Sequence, residues 1–383
     1  MKNNPLLKIK DYGQSIWMDY LDRELIESGQ LKKMIETYSL RGVTSNPAIF
    51  EKAITSNRNY DADIEAGIRE KKSVQEIYES LIFEDIRNAC DIFRSVYEES
   101  GGRDGYVSIE VSPYLARDPQ GTIDEVLRFY QAIGRQNVMI KIPGTPEGFG
   151  AVEKAIAAGI NVNITLLFSV DSYLAAASAY MGGLEARVTA SQPISNIHSV
   201  ASFFLSRIDT KVDNLIDQRL QNIGTESLSE EARLSTVKGK VAIANAKIAY
   251  QKYQEIIASD RWQALAERGA NIQRLLWAST STKNPAYNDV MYVNELVGAN
   301  TVNTLPPATI KACADHCEPG ANRIETGIRE AYQLMTSLKE PDIQIDLDKV
   351  MAELLEEGID KFAQPFQSLI QSLENKVKQL SPV

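Results

Sequence analysis

Eight short β-like runs, each followed by helix-like sequence, constrain this chain more than any other feature. They fall near residues 15–19, 41–45, 106–112, 137–142, 161–167, 200–206, 273–279 and 300–304. Strand and helix patterns that alternate in this way predict a parallel sheet, and eight repeats predict a closed (β/α)8 barrel of the α/β class. At 383 residues the chain exceeds the ~250 typical of that fold. The excess has places to sit. Helical patterns fill 52–104 and 208–270, and a tail over 345–380 carries Leu354, Ile359, Phe362, Phe366, Ile370, Leu373 and Val377 at roughly helical spacing. Pro365 should kink or split that tail helix. No linker-like composition interrupts the chain, so residues 1–383 read as one barrel domain with helical insertions.

Composition excludes several classes of function. Apolar residues make up 44% and charged residues 24%, as in an ordered globular protein. The net charge of −10 disfavours nucleic acid and anionic membrane surfaces as partners. No apolar stretch is long enough to span a bilayer, and Asp11, Asp19 and Asp22 interrupt the N-terminus before any signal-peptide core. Three cysteines, Cys90, Cys313 and Cys317, form no disulfide framework, which points to a reducing cytoplasm. The two histidines, His198 and His316, lie in no catalytic or zinc motif. Cys313-Ala-Asp-His316-Cys317 reads as a helical segment with inward thiols, so no metal site is expected.

The strands themselves point to the chemistry. Side chains alternate across a strand, so Val138, Ile140 and Ile142 suit the helix-covered face and Met139 and Lys141 face the barrel axis. The same alternation turns Trp17 and Asp19, Thr44 and Asn46, Ser108, Glu110 and Ser112, and Asn161, Asn163 and Thr165 inward, with Leu166 outward. Barrel lumens are ordinarily filled by Val, Ile and Leu. Here five strands aim polar groups at one axis, near the carboxyl ends where barrel enzymes hold their sites. A buried lysine is costly. One reading is a plain ion pair of Lys141 with Glu110 or Asp19. The other is chemical: a desolvated amine has a depressed pKa and adds to a carbonyl to form a Schiff base. Asp19 and Glu110 would then move the protons.

Ordered segments around these residues resemble the transaldolase family: TSNPAIF (44–50), SIEVSP (108–113), MIKIPGTPEG (139–148), INVNITLLFS (160–169), SFFLSRID (202–209) and WASTSTKNP (277–285). The resemblance implies that Lys141 forms the Schiff base and that Asp19 is the acid/base for the hydroxyl on the cleaved carbon. It implies that Glu110 and Thr165 hold a proton-relaying water, and that Asn46 and Asn163 bind the hydroxyls of a dihydroxyacetone unit. Ser202 and Phe204 would line the pocket, and Arg207 would bind a substrate phosphate. The family's second phosphate-binding arginine is absent. Ser279, Ser281 and Lys283 stand in its region. The implied substrates are sugar phosphates, with no cofactor. Related fructose 6-phosphate aldolases carry Gln and Tyr at the positions of Glu110 and Phe204, so the resemblance favours transfer over simple cleavage. A lyase of that type and a non-catalytic sugar-phosphate-binding barrel are the alternatives. A homodimer is open to the chain, without any residue-level signature.

Overall fold

The computed structural model describes residues 4–56, 58–222 and 228–380. Residues 223–227, inside the helical stretch anticipated at 208–270, lie outside the described residues. Eight strands form the wall: β1 (Gln14–Asp19), β2 (Gly42–Thr44), β3 (Tyr106–Glu110), β4 (Val138–Pro143), β5 (Val162–Leu167), β6 (Ser199–Phe204), β7 (Arg274–Ala278) and β8 (Thr301–Leu305). All neighbours pair in parallel, in sequence order, and β8 closes on β1. The anticipated (β/α)8 barrel is the fold.

Register decides which polar groups meet. Glu110 of β3 lies level with Lys141 of β4, which lies level with Asn163 of β5. Asp19 of β1 lies level with Thr44 of β2. Level residues on adjacent parallel strands point to the same face. Alternation within each strand therefore becomes convergence between strands.

Four local expectations need correction, at Ser112, Leu166, Pro365 and Asn161. Ser112 lies outside the strand's alternation, because β3 stops at Glu110. Pro113 starts a short 3₁₀ turn, and the Ser112 N–H is taken up by Glu125. Leu166 leaves the alternation. The β5–β6 register shifts between Ile164 and Leu167, and Leu166 itself adopts a left-handed backbone with φ 60°. Pro365 does not split the tail, which is a single helix, Leu347–Leu380. A proline inside a helix costs ~3 kcal/mol. Burial of Leu354, Phe362, Phe366, Leu369 and Leu373 offsets that cost, at roughly 1.5–3 kcal/mol per large apolar side chain.

The amino-terminal end of the barrel is plugged by a charge network. Arg274, at the start of β7, donates to Asp104 at 2.9 Å and to the Ser15 hydroxyl at 2.9 Å. Ser15 donates in turn to the other Asp104 oxygen at 2.9 Å. Trp17 covers this layer and lies against Gly42, where a Cβ would stand 2.6 Å from the indole ring. Burial alone would raise the Asp104 carboxyl. Arg274, Ser15 and Arg41 outweigh it and hold the group below its ordinary value.

Asn161, expected in the lumen, braces this same end. Its Nδ2 donates to the Gln136 carbonyl and its Oδ1 accepts the His198 N–H. His198 is pushed down to about 4 by burial and by Arg274. Cys313 and Cys317 are buried at the end of the helix Pro307–His316, while His316 is exposed and bonded to Asp289.

Candidate active site

At the opposite, carboxyl end of the strands is a cavity of about 200 Å³. Nine residues expected to work at the site line it: Asp19, Asn46, Lys141, Thr165, Ser202, Phe204, Arg207, Ser279 and Lys283. Thr44 and Ser281 join them. Glu110 and Asn163 lie beside the cavity, in the layer of Lys141. Asn163 is fully buried, donating to Ser108 Oγ at 3.2 Å and accepting from Ser202 Oγ at 2.6 Å. It reaches the lining through Ser202.

The centre is Lys141, 5% exposed at the level of Glu110. Its Nζ donates to the Ser45 carbonyl at 3.1 Å and stands 3.6 Å from Glu110 Oε2. That geometry satisfies the ammonium only in part. Neither Glu110 oxygen and not the Thr165 hydroxyl has a hydrogen-bond partner among the described residues. β4 ends at Pro143, and Thr145 caps the next helix by accepting the Gly148 N–H, so the strand bearing the lysine stops cleanly below the mouth.

Both carboxyls hold protons more tightly than usual. Burial raises Glu110 to about 7, with a further push from Asp19, against the pull of Lys141. Burial also raises Asp19, although Lys141, the Thr44 hydroxyl at 2.8 Å, Arg207 and Lys283 all oppose it. Two carboxyls whose proton affinities are raised by burial, close to one lysine, are suited to general acid/base work.

The rim is cationic. Arg207 lies in the first turn of the helix Ser206–Asn222, over the Phe204 ring at 5.3 Å. Its Nη1 is buried with no hydrogen-bond partner among the described residues, and burial lowers its pKa. Lys283 sits across the mouth, donating to Ser281 Oγ at 2.7 Å. Burial and then Arg207 lower its pKa. Two cations at one mouth, the arginine buried and lowering the lysine, are poised to take up an anion. Ser279, at φ 55°, shares a hydroxyl contact of 2.9 Å with Ser206, which ties the loop after β7 to the helix bearing Arg207. Asn46 is fixed by accepting the Ile49 N–H at the start of the helix Pro47–Ser56.

Four lining residues were not anticipated at the site: Ala278, Thr304, Pro306 and Phe362. The first three follow from strand ends, and Thr304 is bonded to Thr44 at 2.8 Å. Phe362 comes from the tail helix. Its apolar spacing announced a buried face but not what that face covers.

Barrel, buried lysine, paired carboxyls and cationic rim define the class: a (β/α)8 protein built to bring an amine and an anionic carbonyl compound together at its carboxyl-end mouth. The sequence model of the transaldolase/fructose-6-phosphate aldolase family matches residues 16–373, and the chain belongs to that family. It is 66% identical, over the full length of both chains, to a protein named Transaldolase 2 from Nostoc sp.. It is 64% identical, again over full length, to a Transaldolase from Trichodesmium erythraeum. A Transaldolase from Saccharopolyspora erythraea is 43% identical over 98% of this chain and 99% of its own.

Proposed function

We propose that the protein is a transaldolase, transferring a dihydroxyacetone unit between sugar phosphates in the non-oxidative pentose phosphate pathway. The donor is sedoheptulose 7-phosphate or fructose 6-phosphate, and the acceptor is glyceraldehyde 3-phosphate or erythrose 4-phosphate. The observation that carries the reading is the Lys141 amine, buried, 3.6 Å from Glu110 and sharing a cavity with Asp19.

Lys141 Nζ attacks the ketose carbonyl. Glu110 and Thr165, whose side-chain oxygens have no hydrogen-bond partner among the described residues, hold the water that carries protons as the carbinolamine loses water to a ketiminium. Asp19 takes the proton of the hydroxyl on the next-but-one carbon, the carbon–carbon bond breaks, and its electrons flow into the iminium. An aldose phosphate departs, and a three-carbon enamine stays on Lys141. An incoming aldehyde reverses these steps, with Asp19 returning the proton. Asn46 and Asn163 hold the hydroxyls of the three-carbon unit. Arg207 binds the phosphate, and Lys283 takes the place of a second arginine, as a point charge rather than a planar fork.

Glu110 and Phe204 favour transfer over release, since the resemblance associates Gln and Tyr with the lyases. No described helix is long and apolar enough to cross a membrane. A cytoplasmic location and a single domain over 1–383 belong to the same proposal.

Borohydride added with fructose 6-phosphate should inactivate the protein and leave a mass increment on the Lys141 peptide. A coupled assay should then show turnover only when an acceptor aldose phosphate is present. Turnover without acceptor would instead mean a lyase, and ligand binding with neither trapping nor turnover would mean a binding protein.

A further inference from the structure

Among the described residues lining the cavity, Phe362 alone comes from outside the barrel and its loops. Its ring centroid lies 5.6 Å from Lys141 Nζ, within range for a cation over an aromatic face. The amine's hydrogen-bond and ion-pair partners among the described residues, the Ser45 carbonyl and Glu110, are polar and come from the ends of β2 and β3. The ring is therefore an apolar cover on the open side of the reacting nitrogen.

Its height above the amine is set by two irregularities. The tail helix turns a four-residue ridge, Leu354, Gly358, Phe362 and Phe366, toward the barrel, and all four are buried. Gly358 lets the helix lie close to the end of β5, since a Cβ there would stand 2.9 Å from Leu166 Cδ2 and 3.6 Å from Phe168. Leu166 reaches that spot through its left-handed backbone beside the break in β5 register. Phe362, one turn on from Gly358, is thereby brought over Lys141.

We propose that Phe362 determines whether the three-carbon unit is transferred or released. The inference rests on the Schiff-base reading above. After the aldose phosphate leaves, the enamine carbon has two fates. It forms a carbon–carbon bond to an incoming aldehyde, which is transfer. Alternatively it takes a proton from solvent and becomes the ketiminium of dihydroxyacetone. Water then adds to the iminium carbon, a proton passes to Glu110, the carbon–nitrogen bond breaks, and free dihydroxyacetone leaves with the lysine amine restored. Departure of the first product opens space that solvent would otherwise fill. The ring keeps that space apolar while accepting a cation beneath its face during the iminium stages.

The test measures two rates on the full chain with fructose 6-phosphate: dihydroxyacetone release without acceptor, and transfer to erythrose 4-phosphate. Phe362→Ala should raise the release-to-transfer ratio by about tenfold, the change that ~1.4 kcal/mol between competing barriers produces. Phe362→Leu, which keeps more of the cover and of the helix packing, should move the ratio less and in the same direction. Borohydride trapping on Lys141 should persist in both variants. Intact trapping with an unchanged ratio would overturn the inference, as would loss of cooperative melting in both variants, which would make Phe362 a packing residue. Absence of trapping in the unmodified protein would overturn the Schiff-base reading itself.

Discussion

The two ends of this barrel each bury a cation beside a carboxylate, and the outcomes are opposite. At the amino-terminal end, Arg274 and Asp104 meet at 2.9 Å, Ser15 bonds to both, and the carboxyl is held below its ordinary value. At the carboxyl end, Lys141 and Glu110 stand 3.6 Å apart, and Glu110 is raised to about 7. Burial pushes both acids up. At Asp104 the fork of Arg274, the Ser15 hydroxyl and the nearby charge of Arg41 together reverse it. Full compensation makes a brace, whereas partial compensation leaves a proton free to move beside the lysine.

pH acts on the two ends with opposite sign. Asp104 contributes stability above its unfolded value of 3.8, and that contribution is lost as pH falls through its lower folded value. Glu110 binds its proton more tightly folded than unfolded. Its contribution is present below 4.5 and is lost as pH rises through about 7.

The contrast can be broken at each end. Lys141→Met should cost at least ~10⁴-fold in turnover, the scale for losing a covalent nucleophile. Its melting temperature at pH 6, where Glu110 keeps its proton, should be unchanged or higher. A cooperative destabilisation there would make the lysine a brace like Arg274. Arg274→Met should do the reverse. Stranding Asp104 should destabilise by about 3–5 kcal/mol in denaturant unfolding, while kcat/KM of the folded fraction stays at the unmodified level. The smallest and sharpest effect is in the pH profile. With the Glu110 carboxylate as proton acceptor, kcat/KM should fall about tenfold per pH unit below about 7, and Glu110→Gln should lack that limb. A limb that survives the substitution would assign the titration elsewhere.

Much of this was legible in the residues alone. Short β-like runs bounded by helical sequence located all eight strands, because a strand covered on both faces reads as a compact run set between helical patterns. Parallel register then turned Glu110, Lys141 and Asn163 into one layer, which spacing within a strand could only suggest. The lapses share a cause. Ser112, Leu166 and Asn161 were assigned by extending alternation past the point where a proline, a register shift or the strand's own start ended it. The Ser45 carbonyl on Lys141 is backbone, so no residue type announces it. Phe362 stayed hidden because its contact is set by how a distant helix docks, and helical spacing fixes only which face is apolar.

That docking has a consequence for biosynthesis. A polypeptide emerges amino end first, and all eight strands precede the tail in the chain. A nascent chain is thus able to assemble its wall and position its nucleophile before the aromatic roof has left the ribosome, so the segment that shuts the reaction chamber is made after the wall it covers.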